Sequence, residues 1–322
     1  MTFALPSLAR LRDAAHEIRE VMPETPAYRW PLLERELGLE LWVKHENHAP
    51  TGAFKVRGGI TYFNGLRRNT PYGVICATRG NHGASIAFNA ARTGIAATIV
   101  VPHGNSAFKN AAMSAYGARL IEHGHDFQAA LERARELAAR EGLHMIASFH
   151  PELVRGVATA GLELFESAPD LQAVYAPIGM GSGVCGLLAA RDALGSQAEV
   201  VGVVSEGAAT YVLSCQAGRP VESPVATLAD GMAVRLADAD AVAAMLAAKV
   251  RFVVVSDDEI LVAMRDYFDY TRNVAEPAGA ASLAAAKKDA RGSGYMRVGV
   301  VLSGGNVELD VFASTFAAAF AR

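Results

Sequence analysis

The sequence predicts an α/β fold of two domains, in which parallel or mixed twisted sheets are flanked by helices. Short apolar runs typical of buried strands alternate with alanine-rich helical patterns through much of the chain. Such alternation favours parallel sheets that are covered by helices. At 322 residues the chain is long enough for about two domains with cores of their own. Its hydrophobic fraction of 51% and its net charge of −3 are ordinary for a globular protein.

The alternation is most regular between residues 74 and 141. Residues 74–77, 97–101 and 120–122 predict strands, and residues 85–92, 109–116 and 127–141 predict the helices that follow them. This compact set, residues 73–149, is expected to form the smaller domain. Residues 1–72 and 150–322 are expected to form the larger one, beginning with a helix that Ser7 caps and that reaches Val21. A ligand site is expected in the cleft between the two domains.

Charge, hydropathy and cysteine content exclude several classes of protein. No basic cluster indicates a nucleic acid or an anionic membrane as a partner. No apolar run approaches transmembrane length, and the N-terminus lacks the pattern of a signal peptide. Cys76, Cys185 and Cys215 are odd in number and are predicted to be buried free thiols. These features predict a cytoplasmic location without membrane contact.

One lysine, Lys55, stands in a turn of small residues. Residues 51–58 read T-G-A-F-K-V-R-G and follow the apolar run of residues 41–43. An amine whose surroundings lower its pKa becomes a nucleophile and can form a Schiff base with an aldehyde. Taken alone, however, a lysine beside a glycine is more commonly a solvated surface charge. The remaining motifs decide between these two interpretations.

A glycine-rich turn follows the apolar run of residues 173–176. Residues 177–186 read P-I-G-M-G-S-G-V-C-G, and a helical pattern begins at residue 187. The backbone N–H groups of such a turn, together with the N-terminus of the next helix, bind phosphate. Gly181, Gly183 and Gly186 also satisfy the dinucleotide fingerprint G-x-G-x-x-G, and Glu206 follows 20 residues later. A nicotinamide-dependent dehydrogenase is therefore an alternative, although such a site does not account for Lys55.

Two further polar turns follow strand-like runs. Residues 77–83 read A-T-R-G-N-H-G and precede a helix that starts near residue 82 and ends before Gly94. The backbone donors of this turn, the Thr78 hydroxyl and the Asn81 amide suit a bound carboxylate, although Asn81 could instead cap the helix. Residues 302–306 read L-S-G-G-N, where Ser303 would ordinarily be a turn residue.

Together these turns resemble the motifs of the fold-type II pyridoxal-phosphate enzymes, and among them the threonine and serine dehydratases and serine racemase. The resemblance extends over nearly the whole chain. It rests on six stretches in order: P-T-G-A-F-K-V-R-G at 50–58, G-N-H-G at 80–83, P-I-G-M-G-S-G at 177–183, T-L-A-D-G at 227–231, A-E-P-A-G-A at 275–280 and S-G-G-N at 303–306. It implies a two-domain fold like that of the tryptophan synthase β subunit, with the active site in the interdomain cleft. It also implies pyridoxal 5′-phosphate as the cofactor.

The resemblance gives these residues roles. It implies that Lys55 forms a Schiff base with the cofactor, that the backbone of residues 179–183 holds the phosphate, and that Ser303 meets the pyridine nitrogen. The implied cofactor-binding set is Lys55, Phe54, Asn81, Gly179, Met180, Gly181, Ser182, Gly183, Glu276 and Ser303. The implied substrate-binding set is Thr78, Arg79, Gly80, Asn81 and His82.

The implied reaction is a β-elimination that converts an L-β-hydroxy-α-amino acid to a 2-oxo acid and ammonia. In it Lys55 acts as the base for the α-proton, and the cofactor accepts the electron pair. A neutral hydroxyl at Ser303, where other pyridoxal enzymes place a carboxylate, makes the cofactor a weaker electron acceptor. This favours prompt loss of a β-substituent over slower side reactions, so we expect a lyase.

Arg79 departs from the pattern of the family. Serine racemase carries a serine here, on the opposite face of the substrate from the lysine, and arginine is a poor proton shuttle. A dehydratase is therefore favoured over a racemase. The large guanidinium also puts threonine in doubt and suggests a bulkier substrate such as phenylserine or 3-hydroxyaspartate, unless Arg79 only pairs with an exposed acidic side chain.

Other ligands and partners have weaker support. Relatives of this type bind a divalent cation through an acidic residue at the position of Glu206, but Val212 stands where a second acidic ligand is expected, so no metal is predicted. His45 and His48 are predicted to be polar loop residues, and His150 to line the pocket. The resemblance suggests a homodimer. Because only 16 residues follow Asn306, we expect no C-terminal regulatory domain.

Overall fold

The strands of the protein are mostly short and strongly apolar. The computed structural model describes residues 3–67 and 70–316. Within these residues the strands are β1 (Ala27–Arg29), β2 (Glu40–His45), β3 (Gly73–Ala77), β4 (Ala96–Val101), β5 (Arg119–Glu122), β6 (His144–Met145), β7 (Ala173–Pro177), β8 (Glu199–Ser205), β9 (Arg251–Val255) and β10 (Arg297–Leu302).

These strands form two sheets. The larger sheet has the strand order β1-β2-β10-β7-β8-β9, and the smaller has the order β5-β4-β3-β6. All pairings are parallel except that of β1 with β2, which is antiparallel. The strands of the smaller sheet all lie within residues 73–149, the range predicted for the smaller domain. The predicted α/β fold with parallel and mixed sheets is confirmed.

Helices cover both sheets. They are α1 (Leu8–Arg19), α2 (Pro31–Leu37), α3 (Lys55–Leu66), α4 (Asn81–Thr93), α5 (Ala107–Ala115), α6 (Phe127–Glu141), α7 (Pro151–Ser167), α8 (Ser182–Leu194), α9 (Thr210–Ala217), α10 (Ala239–Ala247), α11 (Asp257–Thr271), α12 (Pro277–Asp289) and α13 (Leu309–Ser314). Every residue of β3 and all but the last of β7 are buried, as expected for parallel strands covered on both faces. None of the helices in the described part of the chain is long and apolar enough to cross a membrane.

Helices α3 and α7 approach each other closely through two glycines. A Cβ on Gly58 would lie 2.7 Å from the carbonyl oxygen of Leu153, and a Cβ on Gly156 would lie 2.3 Å from that of Arg57. Only glycine permits this backbone-to-backbone contact. Since α3 begins at Lys55, the contact fixes the helix that carries this amine.

Some helix boundaries differ from the predicted ones. Helix α1 ends at Arg19 instead of Val21, and Ser7 at its N-cap makes no side-chain hydrogen bond. Helix α8 begins at Ser182, five residues before the predicted start, so that Gly183 and Gly186 are helical. A Cβ on Gly186 would lie 3.0 Å from the backbone nitrogen of Ala158, so this glycine serves close packing of α8 on α7 instead of a turn. Cys215 is only half-buried, unlike Cys76 and Cys185.

Candidate active site

The predicted turns meet around one cavity. Turns that follow the carboxyl ends of β3, β7 and β10 border it, which is where open α/β sheets bind ligands. Its lining residues are Phe54, Lys55, Asn81, Pro177, Gly179, Met180, Gly181, Ser182, Gly183, Gly231, Glu276, Ala278 and Ser303. All ten residues predicted to contact a cofactor are in this set.

Lys55 points its amine into this cavity. It is the first residue of α3, and its Nζ lies 4.6 Å from the centre of the Phe54 ring. Removal from bulk water lowers the pKa of Lys55 to about 8, against the opposing influence of the Glu276 carboxyl. A lysine with this pKa is in part unprotonated near neutral pH, so it can act as a nucleophile and a base.

The glycine turn after β7 presents its backbone to the cavity. Gly181 has φ of 94°, a left-handed conformation that favours glycine, and a Cβ there would lie 2.6 Å from the Cβ of Ala241. The phenolic hydroxyl of Tyr211 donates to the carbonyl oxygen of Met180 at 2.8 Å and so stabilises the backbone of the turn. Helix α8 starts directly afterwards, and its first N–H groups have no partner within the helix. The turn and the start of the helix together suit a phosphate.

Asn81 and Glu276 line the cavity and are hydrogen-bonded to each other. Asn81 Nδ2 donates to Glu276 Oε1 at 2.6 Å, and Asn306 Nδ2 donates to Asn81 Oδ1 at 2.8 Å. Burial raises the pKa of Glu276, while Lys109, Asn81 and Lys55 oppose this shift. The Asn81 side chain is therefore engaged with the cavity wall, and Gly80 is the residue at the N-cap of α4, so the interpretation of Asn81 as a helix cap is wrong.

The loop of residues 78–82 is rigidly folded beside the cavity. Thr78 Oγ1 accepts from the backbone N–H groups of Gly80 at 3.0 Å and Gly83 at 3.2 Å. His82 is buried, its Nε2 has no hydrogen-bond partner among the described residues, and burial lowers its pKa to about 3. Of the five residues predicted to bind substrate, only Asn81 lines this cavity. A second, neighbouring cavity is lined by both Gly80 and Asn81.

Arg79 forms an ion pair across the cleft between the sheets. Its Nη2 lies 3.3 Å from Asp230 Oδ1, and Lys109 Nζ lies 3.3 Å from Asp230 Oδ2. Asp230 immediately precedes Gly231, a lining residue of the cavity. Arg79 thus has an acidic partner within the protein, which was one of its two predicted roles.

The comparison with known families identifies the site. A model of the family described as "Pyridoxal-phosphate dependent enzyme" matches residues 18–304. The chain belongs to this family. Its fold is that of the fold-type II pyridoxal-phosphate enzymes, and its cofactor is pyridoxal phosphate. The glycine run that also fits the dinucleotide fingerprint is therefore part of a pyridoxal-phosphate enzyme.

Individual relatives agree with this assignment. The biosynthetic L-threonine dehydratase of Salmonella typhimurium is 34% identical over 93% of this chain, which spans only 59% of the length of that enzyme. The L-threo-3-hydroxyaspartate ammonia-lyase of Saccharomyces cerevisiae is 30% identical, with 96% of each chain covered. The solved structure of maize serine racemase superposes with a TM-score of 0.89 at 26% identity, covering 99% of each chain.

The residues around the cavity fit the cofactor of this family. The Lys55 amine can react with its aldehyde, and the Gly179–Gly183 turn with the N-terminus of α8 suits its phosphate. A Cβ on Gly183 would meet only the Phe54 ring, at 3.7 Å, and the carbonyl oxygen of Pro177, at 3.9 Å, so space is left in front of this turn. The Ser303 side chain reaches the same cavity from β10 and can meet the pyridine nitrogen.

Sequence reasoning missed a few of the residues that surround this pyridoxal-phosphate site. Pro177, Gly231 and Ala278 line the cavity, and each lies inside a stretch that carried the family resemblance. Lys109, which reaches Asp230 from α5, belongs to none of these stretches. It stands 121 residues from Asp230, so no local signal could have paired the two.

The predictions for His150 and His45 are wrong. His150 is absent from the cavity; it caps α7, where its Nδ1 accepts from the backbone N–H of Glu152 at 3.1 Å. His45 is fully buried, not a polar loop residue, and its Nε2 accepts from Trp30 Nε1 at 3.0 Å. His48 stacks on the His45 ring. Within residues 3–67 and 70–316 no group of three or more His, Cys, Asp or Glu side chains is placed to hold a metal ion.

Proposed function

We propose that this protein is a pyridoxal-phosphate-dependent dehydratase, or ammonia-lyase, of L-β-hydroxy-α-amino acids. Its substrate would be threonine, serine or a bulkier homologue such as phenylserine, and its products a 2-oxo acid and ammonia. The observation that carries the proposal is the position of the Lys55 amine. It lies in one cavity with the glycine turn of residues 179–183 and beside the anion-binding loop of residues 78–82.

The overall reaction balances without an outside oxidant. The α-proton and the β-hydroxyl leave as water, and one water is consumed when ammonia is released. When bound, pyridoxal phosphate supplies the electron-withdrawing group that acidifies the α-carbon. Lys55, with a pKa of about 8, takes up the α-proton because its amine is available near neutral pH.

The loop of residues 78–82 orients the substrate. The backbone N–H groups of Asn81 and His82, the first two residues of α4, have no partner within the helix, so they can donate to a carboxylate. The Thr78 hydroxyl already accepts from Gly80 and Gly83, which keeps the loop in this conformation before substrate arrives. Preorganised donors lose little entropy on binding, so this loop fixes the α-carboxylate and thereby the α-proton toward Lys55.

Ser303 bears on the choice between elimination and other outcomes. Its side chain is 4% exposed and carries no charge. Beside a pyridine nitrogen, a neutral hydroxyl stabilises positive charge less than a carboxylate would. Racemisation also needs an acid on the face opposite Lys55, and an arginine such as Arg79 is a poor proton shuttle. Elimination is therefore favoured over the racemase activity named for the maize neighbour, which stays the alternative.

An ammonia-release screen tests the proposal. Holoenzyme is incubated with L-threonine, L-serine, L-threo-phenylserine and L-threo-3-hydroxyaspartate, and ammonia and 2-oxo acid are measured. We expect equal amounts of both products from at least one substrate, and borohydride should attach the cofactor irreversibly to the peptide that contains Lys55. A colourless holoenzyme, or racemised substrate without ammonia, would refute the proposal. The homodimer and the cytoplasmic location also stay predictions, to be checked by light scattering and cell fractionation.

A further inference from the structure

Asp230 is shared by two cations that come from the other side of the cleft. Its Oδ1 lies 3.3 Å from Arg79 Nη2 and its Oδ2 lies 3.3 Å from Lys109 Nζ. Each carboxylate oxygen thus has one cationic partner. Two positive charges face one negative charge, so the cluster of Arg79, Lys109 and Asp230 has an excess of one positive charge.

A neighbouring carboxyl group, that of Glu276, does not cancel this excess. Glu276 lies close enough to Lys109 and Asp230 for both to affect its proton affinity, but it is buried and its pKa is raised, which favours its neutral form. Lys55, whose charge also affects Glu276, adds further positive charge when protonated. The part of the cavity wall near Arg79 therefore favours an additional anion.

The two cations differ in their freedom to meet that anion. The side chain of Lys109 is 12% exposed. Its aliphatic part packs against the loop of residues 78–82, here called the substrate loop, since a Cβ on Gly80 would lie 2.9 Å from Lys109 Cδ. Arg79 stands in the substrate loop itself, next to Gly80, and is 43% exposed. Arg79 can therefore turn part of its planar guanidinium to an incoming carboxylate while Lys109 keeps Asp230 in place.

We propose that Arg79 is the specificity-determining residue and that it binds a second carboxylate on the substrate, as in L-threo-3-hydroxyaspartate. This inference rests on the proposed dehydratase function and narrows its substrate class to β-hydroxy amino acids with an acidic side chain. Arginine is suited to the task because its fork of donors matches a carboxylate in two hydrogen bonds. The reaction then breaks the Cβ–O and Cα–N bonds of hydroxyaspartate and yields oxaloacetate and ammonia. One water is lost in the elimination, and one water is consumed when the Cα–N bond is hydrolysed.

A binding experiment tests the inference without turnover. Succinate, butyrate and 3-phenylpropionate are all propionates that differ only in the group on the β-carbon, which is a carboxylate, a methyl or a phenyl. Their dissociation constants for the holoenzyme are measured by calorimetry. We expect succinate to bind roughly 10- to 100-fold more tightly than butyrate, as one charge-assisted contact allows. Equal affinities, or a preference for 3-phenylpropionate, would overturn the inference.

Variants assign any preference to Arg79. Arg79→Gln should abolish the preference for succinate while leaving butyrate affinity within about twofold, and Arg79→Lys should retain part of it. Asp230→Asn should strengthen succinate binding, because it removes the carboxylate that competes for Arg79. Arg140→Gln is the matched control, since Arg140 lies near the end of α6, pairs with Glu141 and lines neither cavity. A preference that survives Arg79→Gln would overturn the assignment.

Turnover separates this inference from the proposed function. If ammonia is released from hydroxyaspartate with a higher kcat/KM than from threonine and phenylserine, the dehydratase proposal is supported. If Arg79→Gln removes this difference by raising the KM for hydroxyaspartate, the inference about Arg79 is supported as well. Ammonia release from threonine or phenylserine without an acidic preference refutes the inference and leaves the dehydratase proposal standing. Absence of ammonia release from every β-hydroxy amino acid refutes the dehydratase proposal, whereas the succinate measurement still tests Arg79 as a carboxylate ligand.

Discussion

Arg57 and Glu163 are joined by two parallel hydrogen bonds. Nη1 of Arg57 donates to Oε1 of Glu163 and Nη2 donates to Oε2, both at 2.7 Å. Arg57 is fully buried and also donates from Nε to Glu46 at 2.8 Å. Because Arg57 lies two residues after Lys55 in the first turn of α3, these ion pairs anchor the turn that presents the Lys55 amine to the cavity.

Replacing Arg57 should strongly destabilise the fold. Arg57→Met leaves Glu46 and Glu163 buried with Lys44 as their remaining cationic partner, and removing one member of a buried ion pair costs about 3–5 kcal/mol. Arg57→Lys should cost less because the charge is kept. Urea denaturation measures the change, with Arg140→Gln, which breaks an exposed ion pair worth at most about 1 kcal/mol, as the control. A loss for Arg57→Met as small as that of the control would contradict the buried network.

Lys55 should destabilise the cofactor-free protein at neutral pH. Its pKa in the folded state is about 8, below its ordinary value of 10.5, so the folded protein disfavours the charged amine. Lys55→Met should therefore raise the free energy of unfolding at pH 7 by up to about 3 kcal/mol, less where water enters the cavity. The same variant should lose all ammonia release, because the amine is required for chemistry.

The pH dependence of this effect has a definite sign. Between pH 8 and 10.5 the unfolded wild-type chain binds a proton at Lys55 that the folded chain has lost, so wild-type stability rises with pH across this range. Lys55→Met lacks this rise, and its advantage should shrink to nearly zero above pH 10.5. Unfolding free energies of both cofactor-free proteins at several pH values check this. A constant difference from pH 7 to 11 would show that Lys55 is not desolvated.

The sequence predicted the site better than it predicted the elements around it. Turns such as residues 177–183 and 302–306 can be recognised because in each a short apolar strand is followed by glycines and a serine. This pattern is visible within a few consecutive residues. Parallel strands place such turns at one edge of a sheet, so local patterns predict that Gly181 and Ser303 lie near each other. The role of Lys55 followed from the resemblance to the family, because its local sequence left two interpretations open.

What the sequence did not predict depends on long-range packing. Gly186 was interpreted as part of a turn, but it is helical because α7 packs against it, 28 residues away in sequence at Ala158. His45 reads as polar, yet it is buried under Trp30 at the end of β2. The pairing of Lys109 with Asp230 joins helix α5 to a short turn that lies 121 residues further along the chain. None of these contacts leaves a periodic or local signature in the chain.

The glycine turn offers a pair of variants that separates folding from cofactor binding. Gly181→Ala forces alanine into φ of 94° and places a Cβ 2.6 Å from Ala241, so it should cost roughly 1–3 kcal/mol of stability and also weaken the cofactor. Gly183→Ala meets no protein atom closer than 3.7 Å, so stability of the cofactor-free protein should change by less than about 1 kcal/mol.

Cofactor titration of the same two variants completes the test. If the phosphate occupies the turn, the new methyl group of Gly183→Ala should raise the dissociation constant of pyridoxal phosphate roughly tenfold or more, since about 1.4 kcal/mol corresponds to tenfold. Absorbance of the bound cofactor and thermal unfolding of the cofactor-free form give the two quantities. Unchanged cofactor affinity in Gly183→Ala would show that the phosphate binds elsewhere.

Glu276 should respond to pH in the opposite sense to Lys55. Burial raises its pKa above the ordinary value of 4.5, so the folded protein holds the carboxyl proton more tightly than the unfolded chain. The contribution of this carboxyl group to the free energy of unfolding is fully present below pH 4.5, and it is lost as the pH rises through the folded-state pKa. Glu276→Gln keeps the hydrogen-bonding shape for Asn81 without a charge, so it should gain stability relative to wild type as pH rises from 4.5. The measurement is the free energy of unfolding of both proteins between pH 4 and 8. If the free energy of unfolding of wild type instead rises relative to that of the variant over this range, Lys55 and Lys109 keep Glu276 charged. In that case the carboxylate, not the neutral carboxyl group, faces the bound cofactor.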